Sequence, residues 1–308
     1  MRNRRCPFCH SDSRRFIGIR VDAWVKCRNC RSVFRDITPA RFQQIHDEAF
    51  QGMGYLEEAA AFTGGVPLHA RWAGLSLPGG SVLEIGPGAG HLLAAMQQAG
   101  CSVAAVESSA IHRDYIRDTW GIGPLYSAID EIPDGRTFDT IVAINVFEHV
   151  YDITAFLLAI GKVLAPDGTF FLSAPNAASL EAAVLDTWWP MCKVHDHVSF
   201  PSPAGLAMAT RESGLHVSRI WSAELPFEFP VSVLAAARDR TRARFGGQAA
   251  AGCGRGWAPG TAAGAGTAKP ATKAALARFC SAAAPFDPAY RVLGALGRAG
   301  SLKARLTH

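Results

Sequence analysis

Along the chain, apolar and polar positions fall into short blocks whose period switches between two and nearly four, the pattern of strands alternating with helices. Val82, Leu83 and Ile85 form the apolar run of a buried strand. Gly86, Gly88 and Gly90 then open a tight turn into the apolar helix that begins at His91. Val103 to Val106 make a second buried strand, residues 110–120 an amphipathic helix, and residues 121–133 hold a third strand ending near Ala128. Phe138 to Ala143 read as a fourth strand, Ile153 to Leu164 as a helix, APDG at 165–168 as a turn, and GTFFLSAPN as a fifth strand. A capped helix starts at PSPAG, stops at Gly214, and leads into a strand from His216 to Trp221. The predicted fold class is α/β, a doubly wound and mostly parallel sheet with its ligand at the carboxyl ends of the strands.

With 308 residues, 49% hydrophobic and 19% charged, the chain can bury one large core plus an appendage. No apolar run reaches the roughly 18 residues of a membrane helix. The start, MRNRRCPFCH, is basic without the apolar segment of a secretion signal, so the expectation is a cytoplasmic protein with no membrane attachment. The formal charge of +5 hides an asymmetry: residues 1–41 carry 11 basic and 3 acidic groups, 42–237 carry 8 and 21, and 238–308 carry 12 and 2. Basic ends of this kind dock on the acidic middle, are simply solvated, or recruit RNA, a phosphate-bearing substrate or an acidic carrier.

Cys6 and Cys9 form one CxxC pair and Cys27 and Cys30 another, 17 residues apart, the spacing by which two tight turns offer four thiolates to one tetrahedral zinc. Four Cys leave no open coordination position, so the expected role is structural. The residues between the pairs alternate as a short hairpin, and so small a module scarcely folds without its metal. Cys101, Cys192, Cys253 and Cys280 are scattered and read as reduced thiols.

The glycine turn decides between nucleotide classes. A dinucleotide fingerprint needs its last glycine where His91 stands. The pattern present, acidic-x-G-x-G-x-G with Glu84 at its head, resembles motif I of class I S-adenosylmethionine-dependent methyltransferases. The resemblance covers about residues 50–225, and the nearest group is the small-molecule methyltransferases related to ubiquinone-biosynthesis O-methyltransferases, in a subgroup with a CxxC-CxxC ribbon ahead of the core. It implies a seven-stranded sheet, S-adenosylmethionine as cofactor, and methyl transfer to a small-molecule substrate, at oxygen before nitrogen or carbon. It also implies roles at the cofactor: Glu84, Gly86, Gly88 and Gly90 at the methionine end, Glu107 on the ribose, and Asp130 with Ile129 at the adenine. Asn145, Glu148 and His149 follow the fourth strand, where the family carries an acidic-His pair facing the sulfur end. Asp130 has a plainer reading as the cap of the next turn, and Tyr55, in the lead-in, reads either as cofactor cover or as helix packing.

Residues 176–200 gather Trp188, Trp189, Lys193, His195, Asp196 and His197 into what reads as the substrate region. His195 and His197 are two apart and would share one side of an extended segment. Either of them, or His149, is the candidate to accept a hydroxyl proton as the methyl moves; anchoring of the loop and a metal held by the pair are the alternatives. The expected division is a zinc ribbon at 1–35, linker and lead-in helices at 36–79, the core at 80–225, an insertion at 226–296 and a final strand within 297–308. That strand, Ser301 to Leu306 after a turn of Gly297, Arg298 and Gly300, follows from likeness to the family's closing element; the other reading is a loose basic helix. Residues 246–270, rich in Ala and Gly, are expected to be mobile. Two other functions stand beside small-molecule methylation: an RNA base methyltransferase guided by the ribbon, and a scaffold protein that binds the cofactor without turnover.

Overall fold

The structure, a computed structural model, describes residues 4–12, 14–16, 24–49, 80–223 and 300–308. In chain order the first elements are β1 (Arg14–Phe16), β2 (Trp24–Cys27), β3 (Val33–Arg35) and α1 (Pro39–Ala49). Then come β4 (Gly80–Ile85), α2 (His91–Gln98), β5 (Cys101–Val106), α3 (Ala110–Trp120), β6 (Leu125–Tyr126), β7 (Phe138–Ile144), α4 (Ile153–Val163) and β8 (Leu164–Pro175). The last are α5 (Leu180–Leu185), β9 (Ser199–Phe200), α6 (Pro203–Ala209), β10 (His216–Ala223) and β11 (Ser301–Thr307).

Seven strands form one sheet in the order β10-β11-β8-β7-β4-β5-β6. Strands β4 to β8 pair in parallel, and β11 lies antiparallel to both its neighbours. From β4 the chain winds outward through β5 and β6, then returns to β7 on the other side. The order therefore reverses between β4 and β7, where a crevice opens at the strand ends. Period-two alternation divides each strand between two cores. Leu83, Ile85, Ala104, Val106, Ile141, Ala143, Phe170 and Leu172 pack with Leu157 and Ile160 of α4 and Leu206 of α6. Val82, Val103, Ala105, Val142 and Phe171 face Leu93 and Met96 of α2 and Ile116 of α3.

The small second sheet has the order β1-β2-β3-β9. Its first three strands come from the cysteine-rich segment, including both arms of the expected hairpin, and the fourth comes from within the core. On one face Cys6, Phe8, Val25, Cys27, Cys30 and Phe34 merge with the α4 side of the large sheet. On the other, Trp24 and Val33 pack against Leu185, Trp189, Met191, Cys192 and Phe200.

Two details differ from the sequence pattern, and a third, the tail, follows it. β6 has two residues and stops at Tyr126 rather than near Ala128; a single 3-10 turn, Ile129–Glu131, follows. Residues 165–168 do not end one element and start another. β8 begins at Leu164, and the register slips between Phe138↔Leu164 and Thr140↔Thr169, so the residues expected as a turn form a bulge inside the strand. The tail is a strand and not a loose helix: β11 runs Ser301–Thr307 between β8 and β10. Tyr55, Gly297, Arg298, Cys253, Cys280 and residues 226–296 lie outside the described residues. No described helix is long and apolar enough to cross a membrane.

Candidate active site

Gly86, Gly88 and Gly90 all take positive φ, at 64°, 56° and 74°, so the backbone can turn from β4 into α2 over the short stretch 86–90. Trp120, at the end of α3, donates its indole N–H to the Ala89 carbonyl (2.9 Å) and clamps this turn. A Cβ on Gly86 would stand 2.7 Å from Cγ2 of Val146, so the glycine turn lies directly against the turn after β7. Glu84 is buried, and among the described residues its Oε2 has no hydrogen-bond partner. Burial first, and the nearby charge of Glu107 second, push its carboxyl up to about 8 against the help of the Leu93 backbone N–H.

Glu107 follows β5 and is buried. Its Oε1 accepts from the Ser109 backbone N–H (2.9 Å) and lies 3.6 Å from Nδ1 of His112. Ile129 and Asp130 sit in the short turn beyond β6; Ile129 packs on the core, Asp130 is exposed, and Ala128, the residue preceding the turn, provides no side-chain cap. Asn145 ends β7 with φ 55°, its N–H bonded to the Ser173 carbonyl (2.9 Å).

The turn Phe147–His149 carries the densest group of ionisable side chains. Glu148, His149 and His197 bring one ligand-type atom each to within 4.8 Å of one another. Nδ1 of His149 is 3.2 Å from Oδ2 of Asp196, while Nδ1 of His197 lies 3.1 Å from the Met191 carbonyl oxygen. The two imidazoles meet edge to face at 4.9 Å. Glu148 is fully buried, and among the described residues neither carboxylate oxygen has a hydrogen-bond partner. Burial raises its carboxyl to about 7, an effect the His149 charge reduces. Burial alone would lower His149, but the bond to Asp196 and the charges of Asp196 and Glu148 overcome it and raise the ring to about 9. A quarter of that side chain remains exposed, which weakens the desolvation penalty. Burial and the His149 charge push His197 down to about 3.

His195 does not join this group. Residues 195 and 196 form a turn rather than the extended stretch expected, so the two-residue spacing fails to align the rings; Nε2 of His195 meets Oε2 of Glu48 on α1 at 2.9 Å. In the ribbon, the sulfurs of Cys6 and Cys30 are 3.6 Å apart, as are those of Cys9 and Cys27, and all four lie within 4.8 Å of one another. The bond to Cys30 and burial push the Cys6 thiol up, and the same bond brings Cys30 down to about 5.

The methyltransferase domain family matches residues 56–219. The chain belongs to that family. It is an S-adenosylmethionine-dependent methyltransferase. Ubiquinone biosynthesis O-methyltransferase of Pseudomonas aeruginosa is 31% identical over 175 residues, spanning 50% of this chain and 73% of that protein. The corresponding protein of Thiobacillus denitrificans is 28% identical over 170 residues, with the same 50% and 73%. Among solved structures, coclaurine N-methyltransferase bound to N-methylheliamine and SAH aligns at 19% identity with a TM-score of 0.45, covering 79% of this chain and 72% of that one.

In this methyltransferase, Glu84, the glycine turn, Glu107 and Asn145 converge at the ends of three adjacent strands, β7, β4 and β5. Asp130 lies farther out. Sequence reasoning missed the support: Trp120 on the glycine turn, His112 beside Glu107, and the pairing of Asp196 with His149 rather than with a neighbour in its own segment. Only the 31-residue separation of Trp120 from Ala89 and the 47-residue separation of Asp196 from His149 stood in the way, because no local pattern spans either.

Proposed function

We propose that this methyltransferase methylates a hydroxyl oxygen of a small-molecule acceptor, with His149 taking the hydroxyl proton. The observation that carries the reading is the Glu148–His149–Asp196–His197 group, whose Glu148 lies two residues along the chain from Val146, the residue against the glycine turn. The likeness to ubiquinone biosynthesis O-methyltransferases supports oxygen as the acceptor atom. The cofactor, when bound, supplies a methyl group already activated on a sulfonium sulfur. What the chain must add is position and a proton acceptor. Glu84 and Gly86, Gly88 and Gly90 are assigned to the methionine end, Glu107 to the ribose, Ile129 and Asp130 to the adenine, and Asn145 to the floor between cofactor and acceptor. Asp196 holds the His149 ring in place; His197, neutral and bonded to Met191, walls the site; His195 ties α1 to the same segment.

Because His149 titrates at about 9, it is mostly imidazolium at neutral pH and becomes a base as pH rises. Turnover on a hydroxyl acceptor should therefore climb up to about pH 9 and then level. His149→Gln should lower turnover by about 10²–10⁴-fold while calorimetry shows S-adenosylhomocysteine still bound. Wild-type turnover in that variant would end the assignment.

The four ribbon sulfurs are assigned to a structural zinc ion. Their 3.6 Å pair separations are close to the roughly 3.8 Å edge of a tetrahedron with Zn–S bonds of about 2.3 Å, and a dication relieves the mutual opposition that holds protons on buried thiols. One zinc per chain by elemental analysis is the expected result.

A further inference from the structure

We infer that the cysteine ribbon is the template for the acceptor half of the site, acting through Arg35 and Trp24 as positioning residues for the segment 192–198. The inference rests on the reading of His149 and Asp196 given above and deepens it.

Three backbone carbonyls of that segment are held by the ribbon. Trp24 donates its indole N–H to the Cys192 carbonyl at 2.8 Å, Arg35 Nη1 donates to the His195 carbonyl at 2.6 Å, and the Arg35 backbone N–H donates to the Val198 carbonyl at 2.9 Å. The Arg35 guanidinium also lies 5.4 Å from the Trp24 ring centroid, and Trp24 stacks on Phe200 at 5.0 Å, so the two donors form one buried unit. The ladder continues through Val33↔Phe200 and Phe34↔Ser199. Farther on, Ser202 donates its hydroxyl to the Cys30 carbonyl, within the cysteine cluster, and its backbone N–H to the Ser32 hydroxyl oxygen at 3.0 Å. A Cβ on Gly205 would collide with the Ser32 hydroxyl, which brings the first turn of α6 onto the same knuckle. The opposite side of the segment meets the β7 turn: Val198 N–H donates to the Glu148 carbonyl at 2.7 Å, and the Ser199 hydroxyl to the Phe147 carbonyl at 3.0 Å.

Asp196 therefore reaches His149 from a turn clamped between the ribbon and the β7 turn. Arg35 and Trp24 fix the carbonyls on either side of Asp196. The glycine turn's helix, α2, packs through Leu92, Leu93 and Met96 with Ile116 in a core apart from the ribbon, whereas Ile85, Val106 and Ile129 share a core with Cys6, Phe8 and Phe34. The ribbon's hydrogen bonds to the 192–198 segment thus bear on acceptor geometry more directly than on cofactor affinity.

The test compares Arg35→Met, Arg35→Lys and Trp24→Phe with the parent enzyme. Three readouts are taken: S-adenosylhomocysteine affinity by calorimetry, steady-state kinetics on a hydroxyl acceptor, and titration of the histidine rings by ¹⁵N NMR. Around His149 the titratable groups are Glu148, Asp196 and His197, with Arg35 acting on His197. Arg35→Met should lower acceptor kcat/KM by about tenfold or more with cofactor affinity unchanged, and move the His149 midpoint down as Asp196 swings away. Trp24→Phe keeps the stack and changes no charge, so a smaller shift in the same direction identifies the loop, and not the lost Arg35 charge, as the cause. Arg35→Lys should restore part of both. Parent kinetics and an unmoved midpoint in Arg35→Met and Trp24→Phe would overturn the inference. If His149→Gln stays active while those variants move the midpoint, the base assignment fails and the positioning role stands.

Discussion

At the ends of β4 and β5 the cofactor half of the site is made from backbone: three glycines at positive φ, an N-terminal helix turn and two carboxylates within 23 residues of one another. The acceptor half is made from side chains that arrive from four separate stretches, the ribbon, α1, the β7 turn and the segment 186–200, with contacts that span up to 168 residues. A site of the first kind is fixed by the chain locally and tolerates variation elsewhere. One of the second kind depends on every stretch being docked, so acceptor choice can change by altering a docking contact while the cofactor pocket stays the same. The contrast makes each half separately breakable.

Of the changes that set the two halves against each other, the ribbon should have the largest effect. Replacing Cys27 and Cys30 by Ser should cut acceptor turnover by about 100-fold, the loss that a misplacement of about 1 Å produces. Cofactor affinity, read by calorimetry, should fall by less than turnover, because α2 packs through Leu93 and Met96 in a core apart from the ribbon's. Equal loss of both would show that the halves are one cooperative unit.

Next is Gly86→Ala. Its Cβ would meet Val146 Cγ2 at 2.7 Å, and φ 64° strains any L side chain. A cost of about 1–2 kcal/mol falls on both halves, since the glycine turn and the β7 turn touch there. Cofactor affinity should drop about tenfold, and acceptor KM should rise with it.

A pH dependence should separate the halves without mutation. Glu84 titrates at about 8 in the folded protein against 4.5 for an ordinary glutamate. A raised carboxyl favours folding when protonated, so that contribution is present below pH 4.5 and is lost as pH rises through 8. The cofactor's cationic groups favour the ionised carboxylate, so binding should release a proton and tighten about tenfold from pH 6.5 to 8, measured by calorimetry in buffers of different ionisation enthalpy. Glu84→Gln should remove the slope and leave the acceptor pH profile, governed by His149, in place.

The smallest effects are at the helix caps. Ser109 accepts from the His112 N–H at 3.4 Å at the start of α3, and Ser202 from the Gly205 N–H at 2.9 Å at the start of α6. Alanine at either should cost about 1 kcal/mol in thermal unfolding. Ser109→Ala should weaken cofactor binding slightly, and Ser202→Ala should act on acceptor kinetics alone.

What the sequence revealed follows the same division. The strand runs around Leu83, Ala104, Ile141 and Phe171, the glycine turn, and the carboxylate after β5 were all legible, because each is a short-range pattern with one physical cause. The four cysteines were legible for the same reason, as a spacing. The ribbon's fourth strand was not, since Ser199 and Phe200 are too short to announce a strand and gain their partners only by meeting β3. The placing of His195 and His197 on one side was misread from parity, which holds in extended chain and fails in a turn. Asp196 was visible, but its partner was 47 residues away.

The position of β11 has one more consequence, for assembly. It lies between β8 and β10, although β10 ends at Ala223 and β11 starts at Ser301. As the chain leaves the ribosome, β8 must wait with an open edge, and β10 has no place to pair until the later strand is threaded in beside it. The final register is therefore set by the last piece to arrive, and a nascent chain stalled before Ser301 would expose that edge to chaperones or to other copies of itself.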